Sequence, residues 1–419
     1  MRRTTLATAV GLSLLPLLSL ASAPALAADW SLSYIGQQIV ASGTSFQGTT
    51  VGGLSGIDFD AGTGTYYAIS DDRSGLNAAR FYNLSLNIDQ FTRSATPGAA
   101  GVAFNSVTTL QTPGGTAFAP NTVDPEGIRY NAATKTLVWS NEGQRTAAGL
   151  QNPTVREMSL DGSHVREFGV PTAYQPSGSV VGTTVGDRGI NNNLAFESLT
   201  YSTDGRTLYT ATENALVQDG PTASVANGSR SRILSFDVAT GQAGAEYAYD
   251  VSPVALAPNP AGQFATNGLT DLLAIGDRQF IGIERSFATG AQTPGTPVTG
   301  NTIRLYLIDA RNATDISGRD SIAGDDSVVA ASKELLIDLS DLRNDDGSAL
   351  ALDNIEGLTL GPVVNGKQTL VLVSDNNFSG TQFTQFVALQ ISSVPEPKTW
   401  AMLVGGLCAL LGLGRKPGR

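Results

Sequence analysis

Three short stretches decide how this chain folds: Glu126-Gly-Ile-Arg-Tyr130, Glu197-Ser-Leu-Thr-Tyr201 and Glu356-Gly-Leu-Thr-Leu360. Each opens on an acid beside a small residue and continues with alternating side-chain character, the period of a β-strand. A turn and a second strand follow, and the second strand ends on another acid. Glu126 to Glu142 and Glu197 to Glu213 are both 16 residues apart. Working outward, the pattern also fits Ser55 to Asp71 (16 residues), Asp271 to Glu284 (13) and Glu356 to Asp375 (19). The connecting segments carry Asp60-Ala-Gly-Thr-Gly64, Asn131-Ala-Ala-Thr134, Thr203-Asp-Gly205, Gly276-Asp277 and Asn365-Gly366, all chemistry for tight reversals.

The five repeats start at 55, 126, 197, 271 and 356. No stretch between the two termini sustains a helical period. Evenly repeated hairpins predict an all-β chain folded as a β-propeller, in which blades stack radially and cover one another's edges. A repeat period of 71 to 85 exceeds one ordinary blade, so the count lies between five and seven, with long loops between strands. Residues 94–120, 171–192, 218–230 and 288–300 are rich in Gly, Pro and Ser and are the expected loops.

Charge narrows the function. Residues 28–393 carry 26 − 6 = 20 basic and 37 − 1 = 36 acidic side chains, a net charge of −16. Such a surface repels nucleic acid and favours cations. The single cysteine, Cys408, lies in the C-terminal apolar stretch, so the central region has no disulfide and no thiolate chemistry. The single histidine, His164, sits in a turn-like Asp161-Gly-Ser-His164, which leaves a serine nucleophile without its usual base. Within residues 28–393 lysine is confined to Lys135, Lys333 and Lys367, so fixed positive charge at a site falls to arginine.

In a propeller, equivalent positions gather round the axis. The opening acids Glu126, Glu197, Asp271 and Glu356 and the closing acids Asp71, Glu142, Glu213, Glu284 and Asp375 are expected to ring the channel mouth. Crowded carboxylates need counter-charge. Hard divalent cations supply it, and Ca²⁺ tolerates irregular oxygen cages best. Arg73, Arg285, Arg145, Arg188 and Arg278 each stand within a few residues of a patterned acid. Any one of these acids, taken alone, reads equally as a strand-end cap for backbone N–H groups. Asn344-Asp-Asp-Gly347 lacks the alternating ligands of a Ca²⁺ loop and reads as a turn.

Asn354-Ile-Glu-Gly-Leu-Thr-Leu-Gly-Pro362 followed by Val371-Leu-Val-Ser-Asp-Asn-Asn-Phe378 resembles the C-terminal signature of the bacterial phytase-like "esterase-like activity" family. Leu54-Ser-Gly-Ile-Asp-Phe59, Ser70-Asp-Asp-Arg73, Asp124-Pro-Glu-Gly127 and Phe196-Glu-Ser-Leu-Thr200 are similar to its earlier blocks. The resemblance spans about residues 50–390 and implies hydrolysis of phosphate or carboxylic esters on a propeller, with Ca²⁺. The positions it carries over are Asp71, Asp72, Arg73, Glu126, Glu197, Glu213, Glu284, Glu356, Asp375 and Asn376. The combined expectation gives Glu126, Glu197 and Glu356 to proton transfer and Arg73, Arg285 and Asn376 to substrate binding. Asp71, Asp72, Glu142, Glu213, Glu284 and Asp375 are given to the metal. The leading function is cation-dependent ester hydrolysis, most of all of a phosphoester. The alternative is a non-catalytic surface or matrix module whose structural Ca²⁺ supports binding of a polymer or partner.

The termini speak of export. Arg2-Arg3, an apolar run from Leu6 to Leu20 and Ala25-Leu-Ala27 have the layout of a cleavable signal peptide over residues 1–27. At the other end, Val394-Pro-Glu-Pro397 precedes an apolar segment from Trp400 to Leu413 and basic Arg415, Lys416 and Arg419. Residues 394–419 resemble the PEP-CTERM sorting signal of Gram-negative bacteria. The resemblance implies transient anchoring in the inner membrane, cutting by an exosortase-type transpeptidase and delivery to the cell surface or matrix.

Overall fold

Five sheets of four antiparallel strands are built from the strand pairs foreseen at the repeats. The computed structural model describes residues 29–181 and 183–394, so the signal-like segment and the Pro-Glu-Pro segment lie outside the described residues. In order from axis to rim, blade 1 holds Leu54–Asp60, Thr65–Ser70, Arg80–Leu86 and Val102–Thr109. Blade 2 holds Pro125–Asn131, Thr136–Asn141, Thr154–Ser159 and His164–Glu167. Blade 3 follows with Thr200–Tyr201, Thr207–Ala211, Ser229–Asp237 and Ala243–Val251, and blade 4 with Ala265–Gly276, Gln279–Ala288, Asn301–Asp309 and Ser332–Asp338. Blade 5 joins both ends of the domain: Asn354–Val364, Lys367–Asp375 and Thr384–Val394 are completed at the rim by Asp29–Val40. This closure ties the first strand to the last and leaves the ring no open seam.

The count is therefore five, at the low end of the expected range, and loops account for the long period. One expected loop is corrected: residues 94–120 contain the rim strand Val102–Thr109. That strand has only one covered face, so its apolar signal is diluted by exposed polar residues. Helix is limited, among the described residues, to the single turns Ile88–Gln90, Thr172–Tyr174 and Leu339–Asp341. No helix among the described residues is long and apolar enough to cross a membrane.

The core lies between blades. Along Thr65–Ser70, Tyr66 and Ala68 pack toward blade 5 with Val371 and Phe386, while Tyr67 and Ile69 pack toward blade 2 with Ile128 and Trp139. Val138 joins Leu208 and Phe236 between blades 2 and 3, and Tyr209 joins Leu272 and Phe280 between blades 3 and 4. Alternate residues thus serve opposite neighbours, which is why these strands are apolar on both faces.

Small residues set how closely the inner strands approach. A Cβ on Gly56 would meet the Glu126 carbonyl oxygen at 2.5 Å, and one on Gly127 would meet the Glu197 carbonyl oxygen at 2.8 Å. A Cβ on Gly357 would meet the Ser55 carbonyl oxygen at 2.9 Å. In blades 1, 2 and 5 the glycine after the opening position is the space into which the next blade's backbone fits.

Candidate active site

Each inner strand slips register by a bulge at its start. The slip falls between Leu54 and Gly56, Pro125 and Ile128, Leu269 and Asp271, and Ile355 and Gly357. Blade 3 shows the same slip between the Phe196–Thr212 bridge and the Thr200–Tyr209 pair. The bulge turns one side chain toward the axis, and the residues so placed are Ser55, Glu126, Glu197, Thr270 and Glu356. Opposite them, the strand-end residues are Asp71, Glu142, Glu213, Arg285 and Asp375. Blade 4 therefore corrects the repeat alignment by one residue. Leu269 pairs with Glu284, so Thr270 and Arg285, rather than Asp271 and Glu284, occupy the ring positions.

A cavity of about 850 Å³ opens above this ring and is lined by Asp71, Glu126, Glu197, Glu213, Glu356 and Asp375, together with Arg73, Arg285 and Asn354. Glu142 is buried directly behind it. One oxygen from each of Asp124, Glu126 and Glu142 lies within 4.8 Å of the others, and the same holds for Glu142, Glu197 and Glu213. Glu142 belongs to both triads. Its Oε1 accepts the Ala195 N–H at 2.8 Å, which fixes its orientation across the blade 2–blade 3 boundary.

Two guanidiniums serve eight carboxylates. Arg285 Nη2 lies 2.9 Å from Glu356 Oε1 and 3.3 Å from Glu213 Oε1. Arg73 Nε donates to Asp124 Oδ1 at 2.8 Å, and its Nη2 donates to Asn193 Oδ1 at 2.6 Å. Burial, with Glu142, Glu356 and the partial compensation of Arg285, pushes the Glu213 carboxyl up to about 8. Burial and neighbouring acids drive Asp71, Asp124, Glu126, Glu197 and Asp375 well above the ordinary carboxylate range. Burial opposes the charge on Arg285, but Glu213, Glu356 and Glu197 outweigh it and raise its pKa.

This donor set fits a hard divalent cation. It is all oxygen, it is short of positive charge, and it leaves buried acceptors open: Asp71 Oδ1 and Asn301 Oδ1 have no hydrogen-bond partner among the described residues. Asn301 is 3% exposed and lines the same cavity.

A buried ion pair outside the cavity lining ties the inner strands together. Arg129 Nη2 lies 2.8 Å from Asp271 Oδ2, and both side chains are buried. Arg129 also donates to the carbonyls of Ile57, Leu272 and Leu358, while Asp271 accepts from Leu358 N–H at 2.9 Å. Inner strands of blades 1, 2, 4 and 5 are thus tied at the axis.

The remaining expected residues sit elsewhere. Asp72 is spent on Arg80 and on the backbone N–H groups of Gly75, Leu76 and Asn77. Glu284 is held by Lys333, Tyr249 and Asn267 between blades 3 and 4. Asn376 Oδ1 accepts from Gly53 and Phe378 N–H, a turn-fixing role beside the cavity. Arg145 binds the carbonyls of Ile190, Ser177 and Ser179 and organises the 171–192 loop. Arg188 pairs with Asp320, and Arg278 with its neighbour Asp277. Sequence reasoning passed over Asp124, Asn354, Asn193 and Asn301. Asp124 and Asn354 each stand two residues before an opening acid, and a period of two places them on its face.

Fold and site together define a five-bladed propeller with a carboxylate-lined axial cavity. The chain belongs to the phytase-like family described as "esterase-like activity of phytase", which matches residues 49–378. Comparison with curated proteins finds no match. Among solved structures, the chain is similar to a Dos1 propeller at 8% identity and a TM-score of 0.30, over 80% of this chain and 66% of that one. A glycoside hydrolase family 43 β-1,3-galactosidase is similar at 12% identity and a TM-score of 0.40, over 84% of this chain and 60% of that one. The chain spans less than two thirds of either structure's length.

Proposed function

We propose that the axial cavity hydrolyses esters, phosphoesters foremost, with a Ca²⁺-type cation held by the two oxygen triads. The observation that carries the reading is the shared position of Glu142 in both triads, beside a cavity that also presents two arginines. A bound divalent cation would supply counter-charge and Lewis acidity at these oxygens. Asp124, Glu126, Glu142, Glu197 and Glu213 would hold it, which would take Glu126 and Glu197 out of the proton-transfer role. Glu356 lines the cavity outside both triads, and Arg285 and Asn354 Nδ2 fix its carboxylate at 2.9 and 3.0 Å. Burial raises its pKa against the pull of Arg285, a direction that makes this carboxylate a better proton acceptor. Arg73 and the free edge of Arg285 orient the anionic group. Export to the surface by way of the two terminal segments, with an exosortase-type enzyme as transient partner, belongs to the same proposal and rests on sequence alone.

The test is turnover of p-nitrophenyl phosphate by the full chain in millimolar Ca²⁺, its loss with EDTA and its return on adding Ca²⁺. Ca²⁺ at 100 times its dissociation constant should also stabilise the fold by about 2.7 kcal/mol. Glu142→Gln should remove turnover and the Ca²⁺-dependent rise in Tm together. A rise without turnover on any ester favours the binding module, since Glu142 also pins two blades. Neither effect in the wild-type protein sinks the cation site.

A further inference from the structure

One wall of the axial cavity is apolar. Phe264, 66% exposed, and Val298, 51% exposed, line it with the half-buried Phe287; Phe264 immediately precedes the first strand of blade 4, Phe287 lies on its second strand and Val298 in the loop that follows. The Phe264 and Phe287 rings lie 6.1 Å apart, tilted by 38°. Arg285 and Phe287 are two residues apart on the strand Gln279–Ala288, hence on one face and separated by about 7 Å. That distance is the reach of one ring or short chain attached to an anion held at Arg285. The opposite wall is polar, with Arg73, Asn192 and Asn193.

Resting on the phosphoester reading, we propose that the substrate carries a single phosphate and an apolar, aryl-like alcohol, with that alcohol against Phe264, Phe287 and Val298. Two arguments converge on it. A ligand bearing several phosphates needs several cationic side chains, but among the described residues the cavity offers only Arg73 and Arg285, both already paired with acids. The carboxylates that crowd the rest of the ring repel every phosphate not neutralised there. Conversely, an exposed aromatic pair continuous with the anion end gives burial only to a ligand with an apolar body. The cleaved bond is the phosphorus–oxygen ester bond; water supplies hydroxide to phosphorus, and the alcohol leaves with the proton.

The test separates this inference from the catalytic reading by using ligands that are not hydrolysed. Phenylphosphonate and methylphosphonate are titrated calorimetrically into the full chain in Ca²⁺, and phytate is compared as a substrate. Phenylphosphonate should bind about tenfold more tightly than methylphosphonate, the scale of a small apolar group in a fitted pocket. Phe264→Ala should bring the ratio close to one, and Phe264→Trp should keep it, while both variants retain the Ca²⁺-induced rise in Tm. Equal affinity of the two phosphonates, or phytate turned over faster than phenyl phosphate, overturns the apolar-alcohol inference while leaving ester hydrolysis intact. No binding of either phosphonate overturns both readings.

Discussion

Glu213 shows what crowding does to one side chain. Its carboxyl is raised from 4.5 to about 8, with burial as the leading cause and Glu142 and Glu356 adding to it. A carboxyl whose folded pKa lies above its unfolded value stabilises the fold below the unfolded pKa. That contribution is lost as pH rises through the folded one. The EDTA-treated protein should therefore melt at its highest temperature near pH 4 and at falling temperatures from about pH 4 to pH 9, spanning these two pKa values. Cations and protons compete for the same oxygens, so the rise in Tm on adding Ca²⁺ should grow over the same interval. Differential scanning calorimetry at fixed ionic strength reads both. A cation-free Tm that climbs steadily to pH 9 would show that the ring is already neutralised by protein groups.

At the scale of elements, the bulged inner strand is the unit that makes the site. Its bulge aims one side chain at the axis, and in blades 1, 2 and 5 the next residue is a glycine because the following blade's backbone occupies its Cβ position. Gly56 is the sharpest case, with Glu126 oxygen at 2.5 Å and Ile128 nitrogen at 2.9 Å from where a Cβ would sit. Gly56→Ala should cost about 3 kcal/mol, the upper range for overpacking, because the obstructing atoms are backbone and cannot rotate away. Chemical denaturation measures that loss. Since blade 2 must shift to make room, the Ca²⁺-dependent stabilisation should shrink with it. A Gly56→Ala protein with wild-type stability would mean that the blades adjust more freely than this packing implies.

For the molecule as a whole, a buried ion pair ties the inner strands of the propeller together. Arg129 and Asp271 join strands of four blades around one buried charge pair. Burial raises Asp271 to about 6 even against the pull of Arg129, a measure of how much desolvation the pair sustains. Breaking a buried pair from one side strands the other charge and costs about 3–5 kcal/mol, whereas replacing both partners with apolar groups is often neutral or stabilising. Arg129→Met alone should therefore destabilise strongly, and Arg129→Met with Asp271→Leu should recover much of the loss. A double-mutant cycle on urea midpoints checks this. Additive losses in the double variant would show that the backbone contacts, rather than the charge pair, hold the axis.

What the sequence by itself determined is what local physics encodes. The period of two, the reversal-forming turns and the 16-residue acid-to-acid spacing established an all-β repeat and identified Glu126, Glu142, Glu197, Glu213 and Glu356 as residues meeting at one mouth. Those features depend on neighbours within a single hairpin. The tertiary structure decided the rest. In blade 4 the bulge falls on Thr270, so Arg285 faces the acids while Glu284 turns away to Lys333. The N-terminal strand closed blade 5, and Arg129 met Asp271 across 142 residues. Pairings over such separations are set by how whole sheets twist and pack round the axis, and no short stretch of sequence records that geometry.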